Sequence, residues 1–112
     1  MSIKHLVRPA TLLCVSSALL GLAACGESTP PPPSLGETVY TGTCKACHAQ
    51  GLNGAPIFGN AIQWGKRTPQ GVPTLIEHAI NGYELMPAKG GNMSLSDEEV
   101  AAAVEYMVSQ AQ

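Results

Sequence analysis

Two thiols and an imidazole share the stretch Cys44-Lys45-Ala46-Cys47-His48. On one turn of helix both sulfurs would face the same side, because residues three apart share a face, and they could add to the two vinyl groups along one edge of a porphyrin. His48, next in the chain, could then set its Nε2 beneath the ring as an iron ligand. This spacing is the attachment signature of a c-type haem. Other chemistries use the same residues. Cys44 and Cys47 could close a disulfide. A zinc knuckle would need four donors, which the chain can assemble only by recruiting His78 or Cys25. A thioredoxin-like redox pair would need strands around it, and no alternating strand pattern flanks the motif.

A second candidate donor lies in Tyr83-Glu84-Leu85-Met86-Pro87-Ala88-Lys89-Gly90-Gly91. Proline excludes helix from the residue before it, so Met86 should sit in extended backbone and present its thioether. A methionine is also common in cores. Paired with the upstream thiols and imidazole, Met86 becomes the expected sixth iron ligand. Met93 is flanked by polar loop residues and Met107 falls on a helix, which makes both weaker candidates. His78 is expected on the solvent side of its helix.

The elements that must position these groups read as helices, so the expected class is all-α. A first helix should run from about Leu35 to Cys47, with Gly36, Tyr40 and Cys44 on one face. Gly51-Leu52-Asn53-Gly54-Ala55-Pro56 is loop by its glycines and proline. Asn60 can cap a short turn carrying Ile62 and Trp64. A further helix follows Pro73, with Leu75, Ile76, Ala79 and Ile80 apolar, and stops at Asn81-Gly82. The last helix carries the clearest signal: Ser96 and Glu99 make a capping box, Asp97 and Glu98 favour the positive end of the dipole, and Val100, Ala103, Val104, Met107 and Val108 form one apolar face. That face should pack across the first helix.

The chain has 112 residues, which bounds it to one domain. With one Phe, one Trp and three Tyr it is short of core aromatics, a shortage that a large apolar cofactor would make good. A formal charge of -2, with no basic run, argues against a nucleic-acid partner.

Residues 1–24 read as an export signal: Lys4, His5 and Arg8 make a positive start and Ala10 to Leu22 an apolar stretch too short to span a membrane. Leu22-Ala23-Ala24-Cys25 resembles the lipobox of bacterial lipoproteins, in which the Cys becomes the lipidated first residue of the mature chain. Residues 25–34 would then be a lipidated Cys25 and a linker. Four consecutive prolines make that linker an extended spacer rising about 3.1 Å per residue. Residues 35–112 form the expected domain. On this reading Cys14 leaves with the signal, Cys25 takes lipid, and Cys44 and Cys47 take haem, so no thiol remains for a disulfide.

The domain resembles the class I, mitochondrial-type c cytochromes, and most of all the bacterial cytochrome c-five group. The resemblance covers about Leu35 to Met107 and rests on Gly36, Tyr40, Cys44-x-x-Cys47-His48, Gly54-Ala55-Pro56, Trp64, Arg67, Asn81-Gly82, the Met86-Pro87-Ala88-Lys89-Gly90-Gly91 run and Leu95-Ser96-Asp97-Glu98-Glu99-Val100. It implies a small cytochrome c fold whose N- and C-terminal helices cross around one covalent haem c. It implies also that Pro56 offers its carbonyl to the free N–H of His48, that Trp64 and Arg67 lie near a haem propionate, and that Gly36 and Tyr40 meet the last helix around Val104 and Tyr106. Some relatives carry two further cysteines in the loop after the Met ligand. Met93 and Leu95 fall there in this chain, so that disulfide is absent.

The function expected from these features is a membrane-anchored monohaem electron carrier, not an enzyme. Its iron would be held by His48 and Met86, and it would sit on the periplasmic side of a bacterial membrane through Cys25. Its partners would be redox proteins of the respiratory chain or a periplasmic reductase or oxidase. Lys45, Lys66, Arg67 and Lys89 could form a basic rim that steers an acidic partner. The rival readings are a haem-based sensor or haem enzyme subunit with a labile Met86, and a structural lipoprotein with a CxxC metal site.

Overall fold

The structure, a computed structural model, describes residues 30–111. The expected export signal, Cys25 and the first part of the linker lie outside the described residues. Pro30 to Pro33 adopt no regular structure and are exposed, as a proline run without amide donors requires.

Five α-helices follow in order: α1 (Leu35–Val39), α2 (Lys45–His48), α3 (Ala61–Gly65), α4 (Val72–Asn81) and α5 (Asp97–Ser109). Among the described residues there is no strand, only an isolated antiparallel bridge between Tyr83 and Met86. No described helix is long and apolar enough to cross a membrane.

The expected first helix exists with one change. α1 passes into α2 through a π turn at Tyr40–Cys44, and the junction residues Tyr40, Cys44 and Lys45 all keep right-handed helical dihedrals. One extra residue in a turn rotates everything beyond it, so the face shared by Gly36 and Tyr40 does not continue to Cys44 at regular helical spacing. Ser34 caps the start, its Oγ accepting from the Glu37 N–H at 3.2 Å.

The other caps fall where the sequence puts them. Asn60 Oδ1 accepts from the Gln63 N–H at 3.0 Å and opens α3. Ser96 and Glu99 complete the reciprocal box on α5, with Glu99 N–H to Ser96 Oγ at 3.1 Å and Ser96 N–H to Glu99 Oε2 at 2.7 Å. Gly82 ends α4 at φ 89°, where an L side chain would be strained and a Cβ would meet the Ala88 nitrogen and the Met86 oxygen at 3.1 Å. The chain therefore turns sharply out of α4 into the Met86 segment.

Helix α5 is the spine. It packs against both α1 and α4. Tyr40, Trp64 and Met107 form one buried cluster, joined by Cys44, Phe58 and Tyr106; Ala79, Val100 and Val104 form a second, joined by Leu75, Ile76, Ile80, Met86 and Leu95. Tyr40 stacks on Phe58 at 4.2 Å and meets Tyr106 at 5.9 Å. The scarce aromatics are thus spent on joining α1 to α5. Ile62, carried on the short turn with Trp64, is instead 78% exposed.

Candidate functional site

Between the two clusters lies an open apolar cavity of about 180 Å³. Its wall brings together Cys44, Cys47, His48, Pro56, Trp64, Arg67 and Met86, from four separate parts of the chain. Every residue singled out for cofactor binding within the described region reaches this one space.

His48 ends α2 and is buried. Its Nδ1 lies 2.9 Å from the carbonyl oxygen of Pro56, so Nδ1 carries the proton and donates, leaving the lone pair on Nε2. Nε2 has no hydrogen-bond partner among the described residues. Burial pushes the imidazole below its ordinary pKa of 6.5, and the positive charge of Arg67 acts in the same direction against the opposing bond to Pro56. A neutral imidazole with one oriented nitrogen is what a metal ligand has to be. The Phe58 N–H donates to the His48 carbonyl at 2.7 Å and ties the following loop back over the motif.

Cys44 and Cys47 are both free and half-buried, one helical turn apart. Burial raises the Cys44 thiol above its ordinary value, which keeps it protonated at neutral pH. The arrangement also bears on the zinc reading. Among the described residues no group of three or more His, Cys, Asp or Glu could hold a metal ion; Cys25, which a zinc site could also recruit, lies outside them.

Met86 lines the same cavity. It closes a tight turn in which the Tyr83 N–H donates to the Met86 oxygen at 3.0 Å and the Met86 N–H to the Tyr83 oxygen at 2.8 Å, with Glu84 at φ 51°. It packs beside Ala79, Val100 and Val104. Met93, by contrast, is 69% exposed and absent from the wall. Met107, on α5, touches the cavity but is buried in one cluster with Tyr40 and Trp64.

Trp64 and Arg67 line the cavity with unequal freedom. The Trp64 indole N–H donates to the Ile57 carbonyl at 2.9 Å and has nothing left to give. Arg67 donates to the Gln63 carbonyl at 2.9 Å and, more weakly, to Gly54 at 3.5 Å. Its guanidinium has five N–H donors, which makes Arg67 the group able to meet an anionic substituent.

Two expectations change. His78 does not face solvent: it is half-buried, lines the cavity and stacks on Tyr83 with ring centroids 4.1 Å apart and planes 14° apart. It stands three residues after Leu75, which places it on the same side of α4. Nor does Lys89 belong to a free basic rim. Its Nζ donates to the Leu95 carbonyl at 2.8 Å and pairs with Asp97 at 2.7 Å, its side chain only 16% exposed. Lys45 and Lys66 remain exposed.

A family model described as "Cytochrome C oxidase, cbb3-type, subunit III" matches residues 31–107. Cytochrome c-555 of Prosthecochloris aestuarii is 48% identical over 83 residues, 67% of this chain and 84% of that protein. Cytochrome c-555 of Chlorobaculum tepidum is 41% identical over 102 residues, 86% of this chain and 94% of that one. In three dimensions the chain is similar to one in the crystal structure of an electron transfer complex of nitrite reductase with cytochrome c. There the TM-score is 0.67 at 32% identity, covering 73% of this chain and all of that one.

Proposed function

The chain belongs to the class I c-type cytochromes, with cytochromes c-555 and c5 among its relatives, and on that footing we propose how its residues hold the cofactor and where it works. It carries one covalent haem c and is an electron-transfer protein, not an enzyme.

The residues fit the group. Cys44 and Cys47 would bind it through thioethers, His48 Nε2 and Met86 Sδ would ligate its iron, and Arg67 would meet a propionate. Bound there, the haem supplies an iron that alternates between two oxidation states one electron apart. Pro56 holds the His48 tautomer. The apolar wall keeps water from the ligands. With His48 and Met86 both ligating the iron, no place would be left for a substrate, and the electron would cross at an exposed edge of the group. Leu52, Tyr83 and Leu85 line the cavity. The observation that carries the proposal is the meeting of Cys44, Cys47, His48 and Met86 around one cavity.

The test is an optical spectrum of the exported protein in both redox states. Loss of the weak long-wavelength Met-to-iron band in Met86→Ala, with its retention in Met93→Ala, supports the assignment; the reverse pattern sinks it.

The working place follows from the leader. A lipidated Cys25 followed by a proline spacer would hold the carrier at the periplasmic side of a bacterial membrane, and more than one acyl chain gives stable attachment where one does not. A redox enzyme of the reductase or oxidase kind is the partner that fits, in line with the nitrite reductase complex of the structural relative. Cys25→Ser should move the protein from the membrane fraction to the soluble fraction; its staying in the membrane fraction would defeat the anchor.

A further inference from the structure

His78 is not used by anything described so far, although it sits in the cavity wall. Its ring lies on Tyr83 at 4.1 Å with the planes only 14° apart. Tyr83 in turn exchanges both of its backbone hydrogen bonds with Met86, at 3.0 and 2.8 Å. A continuous connection therefore runs from α4, through two stacked rings, to the backbone that presents the Met86 sulfur.

Little else near the turn can do this work. Glu84 and Leu85 at its tip are exposed, and Glu84 holds φ 51°, an unfavourable region for a residue with a Cβ. Gly82, immediately before Tyr83, lets the chain leave α4 but anchors nothing through a side chain. The stack is the side-chain fastening at this end of the turn.

We propose that His78 and Tyr83 form a clamp that holds the Met86 turn against α4, which makes both of them positioning residues for the sixth iron ligand. The inference rests on the reading of Met86 as that ligand. Removing either ring enlarges the fraction of molecules in which Met86 has left the iron, and an external ligand then binds with an affinity raised in proportion to that fraction.

The experiment is a titration of the ferric holoprotein with imidazole, followed in the optical spectrum. A stacked aromatic pair is worth enough that His78→Ala and Tyr83→Ala should each tighten imidazole binding by about two- to tenfold. His78→Phe and Tyr83→Phe, which keep a ring in place, should behave as wild type. The double alanine variant should bind no tighter than the stronger single, because both remove one contact. Ser34→Ala, which weakens the cap of α1 away from the turn, provides the comparison for a purely global loss of stability and should leave the affinity unchanged. Unaltered imidazole binding in both alanine variants, with the long-wavelength band lost in Met86→Ala, overturns the clamp but not the ligand. Retention of that band in Met86→Ala overturns the ligand assignment and the clamp with it. Tightening in Ser34→Ala equal to that in His78→Ala also overturns the clamp.

Discussion

Gly36 lies so close to Tyr106 that a Cβ added to the glycine would stand 2.8 Å from the tyrosine's own Cβ, and it would also run into the Ala102 carbonyl oxygen. Two helices can approach to this degree only where one of them has no side chain, and neither backbone can yield without moving the α1–α5 crossing. Gly36→Ala should therefore destabilise the folded protein by about 1–3 kcal/mol through overpacking. In guanidinium unfolding the midpoint should fall at unchanged slope, and Gly36→Val should cost more still.

Ser96 begins α5 with both hydrogen bonds of its box formed. Ser96→Ala should lower stability by about 1 kcal/mol, equivalent to a melting shift of roughly 4–8 °C for a domain of this size. Ser96→Asn, which restores an accepting oxygen, should recover most of it. Thermal unfolding followed by circular dichroism reads both.

Lys89 is held by the Leu95 carbonyl and the Asp97 carboxylate. Lys89→Met should cost about 1–2 kcal/mol, most of it from the charged hydrogen bond to Leu95 because the Asp97 carboxylate is largely exposed. The same change should leave the ionic-strength dependence of electron transfer almost untouched. Charge reversal at Lys45 and Lys66, both exposed, should alter that dependence if a partner is steered by these charges. Stopped-flow reduction over a range of salt separates the two classes of lysine.

Tyr40 gives the protein an alkaline limit. Burial, followed by the neighbouring Tyr106, raises its phenol above the ordinary value of 10.0. The folded state thus holds the proton more tightly than the unfolded chain does. This contribution to stability is fully present below pH 10 and is lost as the pH rises through the folded-state value. Tyr40→Phe, having no proton to lose, should flatten the decline of stability above pH 10 in equilibrium unfolding.

Arg67 provides a reading of the redox centre itself. A positive charge at the cavity wall favours the state with one electron more, so Arg67→Gln should lower the reduction potential. A loss of about 0.5–1.4 kcal/mol of charge interaction corresponds to roughly 20–60 mV for one electron. Spectroelectrochemical titration measures it directly.

Much of the site is legible in the sequence because its parts are short and local. Cys44, Cys47 and His48 lie within one helical turn, Met86 is marked by the proline after it, and Ser96 with Glu99 writes the start of α5 in four residues. What escaped depends on distant packing. The π turn at Tyr40–Cys44 leaves no mark in the spacing of Gly36, Tyr40 and Cys44, since an extra residue in a turn is accommodated by contacts with Phe58 and Tyr106. His78, expected on the solvent side of its helix, follows Leu75 by three positions, and a polar ring is tolerated on that face because a cavity rather than a packed core lies before it. Lys89 carries a charge that composition assigns to solvent; only the path of the loop through Leu95 brings it back to Asp97.

That return path couples two regions that the chain otherwise keeps apart. The segment after Met86 is fastened at Lys89 to the first turn of α5, whose Val100 and Val104 in turn touch Met86. Release of the segment and fraying of the start of α5 should then belong to one cooperative opening, and the backbone amides from Met86 to Val100 should exchange their hydrogens with solvent as a single unit. A carrier that must not loosen its iron each time it meets a partner gains from such an arrangement, because its less buried ligand is backed by the longest of the described helices.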